Sequence, residues 1–205
     1  MTIGKTIGNN FFERDTVEVA KNLLGKKIIR NISGNFFCAK IVETEAYLGL
    51  EDKACHSYGG NITKRNEILY KEAGTIYVYL IYGMYNLLNI VTKNENDPEA
   101  VLIRAVEPIE NIDAMAVNRF GKIYKDLSSY QKKNLTNGPG KLTMAMGIDR
   151  ALNGKILSQD YLYIEEGEDV RNIIETKRIG IDYAGEDANL PLRFYIKDNP
   201  YVSVK

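Results

Sequence analysis

The chain has 205 residues, 44% hydrophobic and 26% charged, so it can bury a core of its own and is not disordered throughout. Lys plus Arg and Asp plus Glu both total 27, a zero balance that on its face argues against a nucleic-acid binder. No run approaches a membrane span and the N-terminal stretch lacks a secretory h-region, so Cys38 and Cys55 are expected reduced in a non-secreted protein.

Residues 1–10 read as a flexible N-terminal segment of a single domain covering 1–205. Asp15 caps a helix, with Glu18 three residues on, Val17, Ala20, Leu23 and Leu24 on one stripe, and Gly25 as the stop. Strands follow at Lys27–Asn31 and Phe36–Tyr47 around Ser33-Gly34-Asn35. The polar stretch 51–66 is a loop. Thr75–Ile81 and Tyr85–Val91 form a hairpin about Tyr82-Gly83-Met84, with Gly83 supplying a positive φ. Val101–Ala105 is a strand, and Pro108 opens a helix that Gly121 stops. Lys141–Met146 is a short helix, and strands return at Arg193–Ile196 and Tyr201–Val204. The mixed order predicts an α+β fold: one compact domain, a curved, mainly antiparallel sheet with packed helices and a protruding β-hairpin.

Charge is unevenly placed along this frame. Between Arg119 and Lys141 six bases face one acid, and between Asp160 and Asp187 nine acids face three bases. If the protein binds an anionic polymer, the basic stretch and Lys64-Arg65 should lie on the Tyr82 side and the acidic stretch should face away.

Several signals carry no chemistry. The three Asn-X-Thr/Ser sequences lack a secretion signal, Gly140-Lys141-Leu142-Thr143 fails the phosphate-loop spacing, and one histidine with two dispersed cysteines does not make a zinc site. No metal and no cofactor is expected.

Three features carry more. Strand alternation puts Glu43, Glu45 and Tyr47 on one face, either as solvated acids of an edge strand or as a base beside an aromatic surface. Paired carboxylates two residues apart would also suit a carbohydrate glycosidase. In the hairpin, Tyr77 and Tyr79 share a face that could be core or a stacking surface, while Tyr82 sits at a tip with little core to fill. A protruding aromatic there can wedge between bases. His56 lies in a polar loop, Arg104 ends an apolar strand where it should pair with an acid such as Glu107 or Glu45, and Asn89 interrupts an apolar strand, so its amide needs a partner.

Together these segments resemble the alkyladenine (3-methyladenine) DNA glycosylase family. The resemblance rests on Ile41-Val-Glu-Thr-Glu-Ala-Tyr-Leu-Gly49, Ala54-Cys-His-Ser57, Thr63-Lys-Arg-Asn66, the stretch from Gly74 to Tyr85, Val101-Leu-Ile-Arg-Ala-Val-Glu-Pro108, Gly138-Pro-Gly-Lys-Leu142 and Pro191-Leu-Arg-Phe-Tyr195. Seven motifs in family order are highly specific, and they span about Phe11 to Val204.

The resemblance implies a base-excision enzyme that flips damaged purines such as 3-methyladenine or hypoxanthine out of duplex DNA and hydrolyses the N-glycosidic bond. It implies that Glu45 is the general base and that Arg104 lies near the catalytic water, while Glu43 matches an acid without that role. Tyr47, Ala54, His56, Tyr79 and Asn89 match the base pocket, Tyr82 and Met84 the intercalating tip, and Thr63, Lys64, Arg65, Tyr85 and Lys141 the DNA-backbone contacts. Tyr58 and Asn61 depart from an arginine that some members carry. With no lysine in the matched site, the expected enzyme is monofunctional, without strand-cleaving (AP lyase) activity. Its expected partner is double-stranded DNA carrying alkylated or deaminated purines, with no membrane and a monomeric state. Its expected place is the nucleoid of a bacterial cytoplasm or a eukaryotic nucleus. A non-catalytic nucleic-acid-binding module on the same scaffold is the alternative.

Overall fold

The structure is a computed structural model that describes residues 4–204. It is α+β, built on one curved eight-stranded sheet whose pairings are all antiparallel. The strands are β1 (Lys27–Ile32), β2 (Asn35–Tyr47), β3 (Ile76–Ile81), β4 (Tyr85–Thr92), β5 (Glu99–Glu110), β6 (Leu162–Glu165), β7 (Ile173–Thr176) and β8 (Arg193–Ile196). Their order is β3-β4-β5-β2-β1-β6, with β8 joining β2 to β7.

The long β2 explains the curvature. Its first half pairs with β1 and its second half with β8 on the same edge, while β5 runs along the other. Register shifts between Ile41 and Glu43 and between Glu43 and Thr44 leave Val42 and Arg104 outside the regular ladder. Irregularities of this kind bend strands and re-aim side chains.

Alternation divides the sheet's faces. Ile76, Val78, Leu88, Ile90, Val101, Ile103 and Ala46 enter the main core. Against that core pack α1 (Thr16–Asn22), α2 (Ile112–Phe120) and α4 (Pro139–Met146). A shorter α3 (Ser129–Lys133) precedes α4. Residues one position away on the same strands, Tyr77, Tyr79, Leu87, Asn89, Ala100, Leu102, Arg104 and Tyr47, line a cavity on the opposite face.

The expected cap is present: the Asp15 carboxylate accepts from the Val17 and Glu18 amides at 3.0 and 3.1 Å. Two expectations need correction, and three short elements went unread. Pro108 does not open a helix; it lies within β5 opposite Ala39, at an irregular end of the ladder where a missing N–H is tolerated, and α2 follows left-handed Asn111. The short elements α3, β6 and β7 carried too little periodicity to be read. Residues 201–204 form no strand, because the Ser203 N–H and hydroxyl bind a carboxylate and the Val204 carbonyl accepts from Arg193. Residues 5–7 of the N-terminal segment pack against β6: the Lys5 carbonyl accepts from the Glu166 amide, Thr6 bridges to Glu165 and buried Ile7 donates to the Ile164 carbonyl. Residues 1–3 of that segment lie outside the described residues.

Candidate active site

A cavity of about 700 Å³ opens on the free face of β3, β4, β5 and β2. Tyr77 and Tyr79 form one aromatic wall, with ring centres 5.2 Å apart. His56 packs edge-on against Tyr79 at 4.6 Å, and its Nδ1 lies 2.8 Å from the Tyr77 hydroxyl. Burial, and secondly the Arg65 charge, lower the His56 pKa to about 4, so the imidazole is neutral at pH 7. Burial pushes the Tyr47 and Tyr79 phenols up, so they stay protonated and can donate. Asn89 reaches the Tyr77 carbonyl with its amide at 3.3 Å, the partner its buried position demands.

Glu43 and Glu45 are both fully buried on a central strand, which excludes a solvated edge. Glu45 lies behind the cavity floor formed by Tyr47, Arg104 and Ile179. Its Oε1 accepts from the Ile179 amide at 2.8 Å and lies 3.2 Å from Arg104 Nη1. Its Oε2 accepts from the Tyr47 hydroxyl at 2.8 Å. Oε1 therefore carries two donors and Oε2 one, leaving an acceptor position on Oε2. Glu43, in contrast, accepts from Arg104, Arg193 and the amide and hydroxyl of Ser203. A carboxylate so occupied cannot serve as the second acid of a carbohydrate glycosidase, and that alternative falls. Arg104 pairs with Glu43 and Glu45, not with Glu107.

The other wall comes from Ile179, Gly180, Ile181 and Tyr183. It is anchored by Arg178, whose buried guanidinium grips Asp52 through two nitrogens, one at 2.8 Å, and lies 4.8 Å over the Tyr47 ring. Asp52 in turn accepts from the Leu48 and Ala54 amides, fixing the loop that presents Ala54 to the cavity. The Tyr183 hydroxyl reaches the Ala54 carbonyl at 3.2 Å.

At the cavity's edge, Tyr82 is 86% exposed and Met84 and Tyr85 lie beside it, also exposed. Tyr82 and Gly83 both have positive φ, so the turn is a mirror-image one and Tyr82 itself holds a left-handed conformation that a bulky residue rarely adopts. Tyr85 is buttressed by α4: a Cβ at Gly140 would stand 2.9 Å from its ring. Lys64 and Arg65 are exposed, Arg65 lies 5.3 Å over Tyr79, and the Thr63 hydroxyl is tied to Asn66. The Lys141 ammonium is spent on the side chains of Asn134 and Asn137, at 2.7 and 2.8 Å, so it braces the loop before α4.

A family model described as methylpurine-DNA glycosylase matches residues 10–200. The chain belongs to the methylpurine-DNA glycosylase family. Curated relatives provisionally named 3-methyladenine DNA glycosylase agree. One from Clostridium novyi is 54% identical, covering 98% of this chain and 100% of the relative. One from Clostridium perfringens is 51% identical over 97% and 99%, and one from Desulfitobacterium hafniense is 50% identical over 98% and 100%.

Within this family member, sequence reasoning found one wall and the tip but missed the 177–183 strap. The acidic stretch was expected to face away from Tyr82, yet its residues 179–181 and 183 line the same cavity as Tyr82. The reason is that charge counted by window ignores who pairs with whom. Glu166, Glu168 and Glu175 spend their charge on Lys26, Lys40 and Lys21, while the uncharged residues of the strap do the lining. The available signal was Arg178, a base before Ile-Gly-Ile inside an acidic run. Asp52, Arg193 and Ser203 offered no signal, because their partners lie more than a hundred residues away.

Proposed function

We propose that this protein extrudes a damaged purine nucleotide from duplex DNA and hydrolyses its N-glycosidic bond with a water activated by Glu45. The observation that carries the reading is a buried carboxylate with one acceptor position left, under an aromatic cavity whose rim bears an exposed tyrosine wedge. A base within a duplex cannot be attacked at C1′, and extruding it costs least at a damaged pair. Stacking on Tyr47, Tyr79 and His56 offsets part of that cost, at about 1–3 kcal/mol per contact. Tyr82, with Met84, fills the vacated step. Glu45 faces Arg104 and orients the water through the acceptor position left on Oε2; entry of the sugar moves Tyr47 enough to admit that water. An N-alkylated purine such as 3-methyladenine leaves as a neutral base, while hypoxanthine must pick up a proton as it departs.

Lys64, Arg65, Thr63 and Tyr85 contact the DNA backbone beside the tip, with Lys141 acting through the loop it braces. Among the described residues no lysine lines the cavity, which supports hydrolysis without strand cleavage. The protein acts as a monomer in a bacterial cytoplasm, in keeping with its bacterial relatives; among the described residues no helix is long and apolar enough to cross a membrane. The test is to incubate it with duplexes carrying 3-methyladenine or hypoxanthine, and with undamaged duplex, and to measure free base and strand integrity. Free base from damaged duplex with an intact abasic strand is expected. Tight, salt-sensitive binding with no base released would instead establish a non-catalytic DNA-binding module.

A further inference from the structure

We propose that Glu43 is a positioning residue, clamped by the C-terminal tail, that sets Arg104 against Glu45. Its catalytic consequence rests on the function proposed above. Glu43 is fully buried and takes four hydrogen bonds from three separate parts of the chain. Oε1 accepts from Arg104 Nε at 3.1 Å, Arg193 Nη1 at 2.9 Å and the Ser203 hydroxyl at 2.8 Å. Oε2 accepts from the Ser203 amide at 2.7 Å. Arg193 also holds the carbonyls of Lys177 and Val204, so the same cluster ties down the start of the strap that delivers the Ile179 amide to Glu45.

A buried charge is costly, and apolar residues of similar volume hold a fold at least as well. What a charge at this position adds is direction. Arg104 stands where the β2–β5 ladder is irregular, so pairing alone does not fix its side chain. With Nε held by Glu43, the planar guanidinium can offer only its Nη edge to Glu45, and Nη1 meets Oε1. Two guanidiniums and two carboxylates then balance. Neutralising Glu43 leaves Glu45 as the only carboxylate paired with Arg104. Arg104 is released to turn and take both carboxylate oxygens, closing the Oε2 position that the water needs. Ser203 makes the tail part of this device, since two of the four bonds to Glu43 come from it.

The test uses the full chain as wild type, Glu43→Gln, Ser203→Ala, Arg104→Gln and the Glu43→Gln/Arg104→Gln double variant. Single-turnover base release is measured at saturating enzyme, and affinity for lesion-bearing duplex separately. Glu43→Gln should lower the rate by about 10–100-fold and Ser203→Ala by about 3-fold to 10-fold, with affinity held within about twofold. The Glu43→Gln loss should vanish in the Arg104→Gln background, because both act on one contact. Losses that multiply, or a Glu43→Gln enzyme at the wild-type rate, overturn the proposal. Arginine Nε–H resonances supply a readout independent of activity. The exchange-protected Arg104 signal should shift in Ser203→Ala and disappear in Glu43→Gln. A signal unmoved in Ser203→Ala overturns the clamp even if Glu43→Gln fails to fold, whereas a wild type that releases no base while the resonance responds overturns only the proposed function.

Discussion

Replacing Arg178 with Met removes the cation that a buried carboxylate depends on. Both side chains of the Arg178–Asp52 pair are almost wholly inaccessible. In the variant, Asp52 keeps the Leu48 and Ala54 amides but loses its counter-charge. Breaking such a pair from one side costs about 3–5 kcal/mol, most of it the penalty of the stranded charge. For a chain of this length about 2–4 °C of melting temperature accompany each kcal/mol, so Arg178→Met should melt roughly 6–20 °C lower. Adding Asp52→Asn removes the stranded charge, and the double variant should recover much of that loss. The assay is thermal melting followed by far-UV circular dichroism on wild type, both single variants and the double. An Arg178→Met protein melting within about 3 °C of wild type, or a double variant losing the sum of the singles, would refute the reasoning. Because Arg178 also covers Tyr47 and leads into the Ile179 amide, base release should fall in Arg178→Met even below its melting temperature.

Two further outcomes follow from the cavity and its rim. Tyr82→Ala should leave stability within about 0.5 kcal/mol, since the side chain is exposed, yet slow excision by about tenfold or more through the lost wedge; unchanged rate and affinity would reject the wedge. His56 binds its proton at about 4 in the folded protein because burial disfavours the charged ring, whereas the unfolded chain binds it near 6.5. The unfolded state therefore holds more protons between those values, and stability drops as pH falls from 6.5 toward 4, by roughly 2–3 kcal/mol from this group. Urea unfolding at pH 7 and 4.5 should show a smaller drop in His56→Gln than in wild type; equal drops would mean that the ring is not held neutral.

The contrast between what was legible and what was not is physical. Alternation along β2 placed Glu43, Glu45 and Tyr47 on one face of that strand, and along β3 it placed Tyr77 and Tyr79 together, because a strand's period is fixed by its backbone. The Asp15 cap was legible because its partners are two and three residues away. Pro108 misled because its fixed φ suits both a helix start and the frayed end of a strand, and only the partner strand decides. The 177–183 strap was illegible for a different reason. Its contribution to Glu45 is a backbone N–H, which every residue except proline carries, and its anchor, Asp52, lies 126 positions away. The same holds for Ser203, read as strand from its neighbours Tyr201, Val202 and Val204 and spent instead on Glu43. The zero net charge also meant less than it suggested. Three acids of the 160–187 stretch pair with Lys21 of α1, Lys26 just before β1 and Lys40 of β2, and the surface beside Tyr82 is set by individual residues such as Arg65.

The most direct measurement is single-turnover release of free purine from duplex DNA carrying hypoxanthine or 3-methyladenine by wild type and by Glu45→Gln at equal saturation. The amide keeps the shape of the side chain and removes the base, so Glu45→Gln should bind the lesion duplex as wild type does and release base at least about 100-fold more slowly. A Glu45→Gln protein that releases base at the wild-type rate would contradict the account.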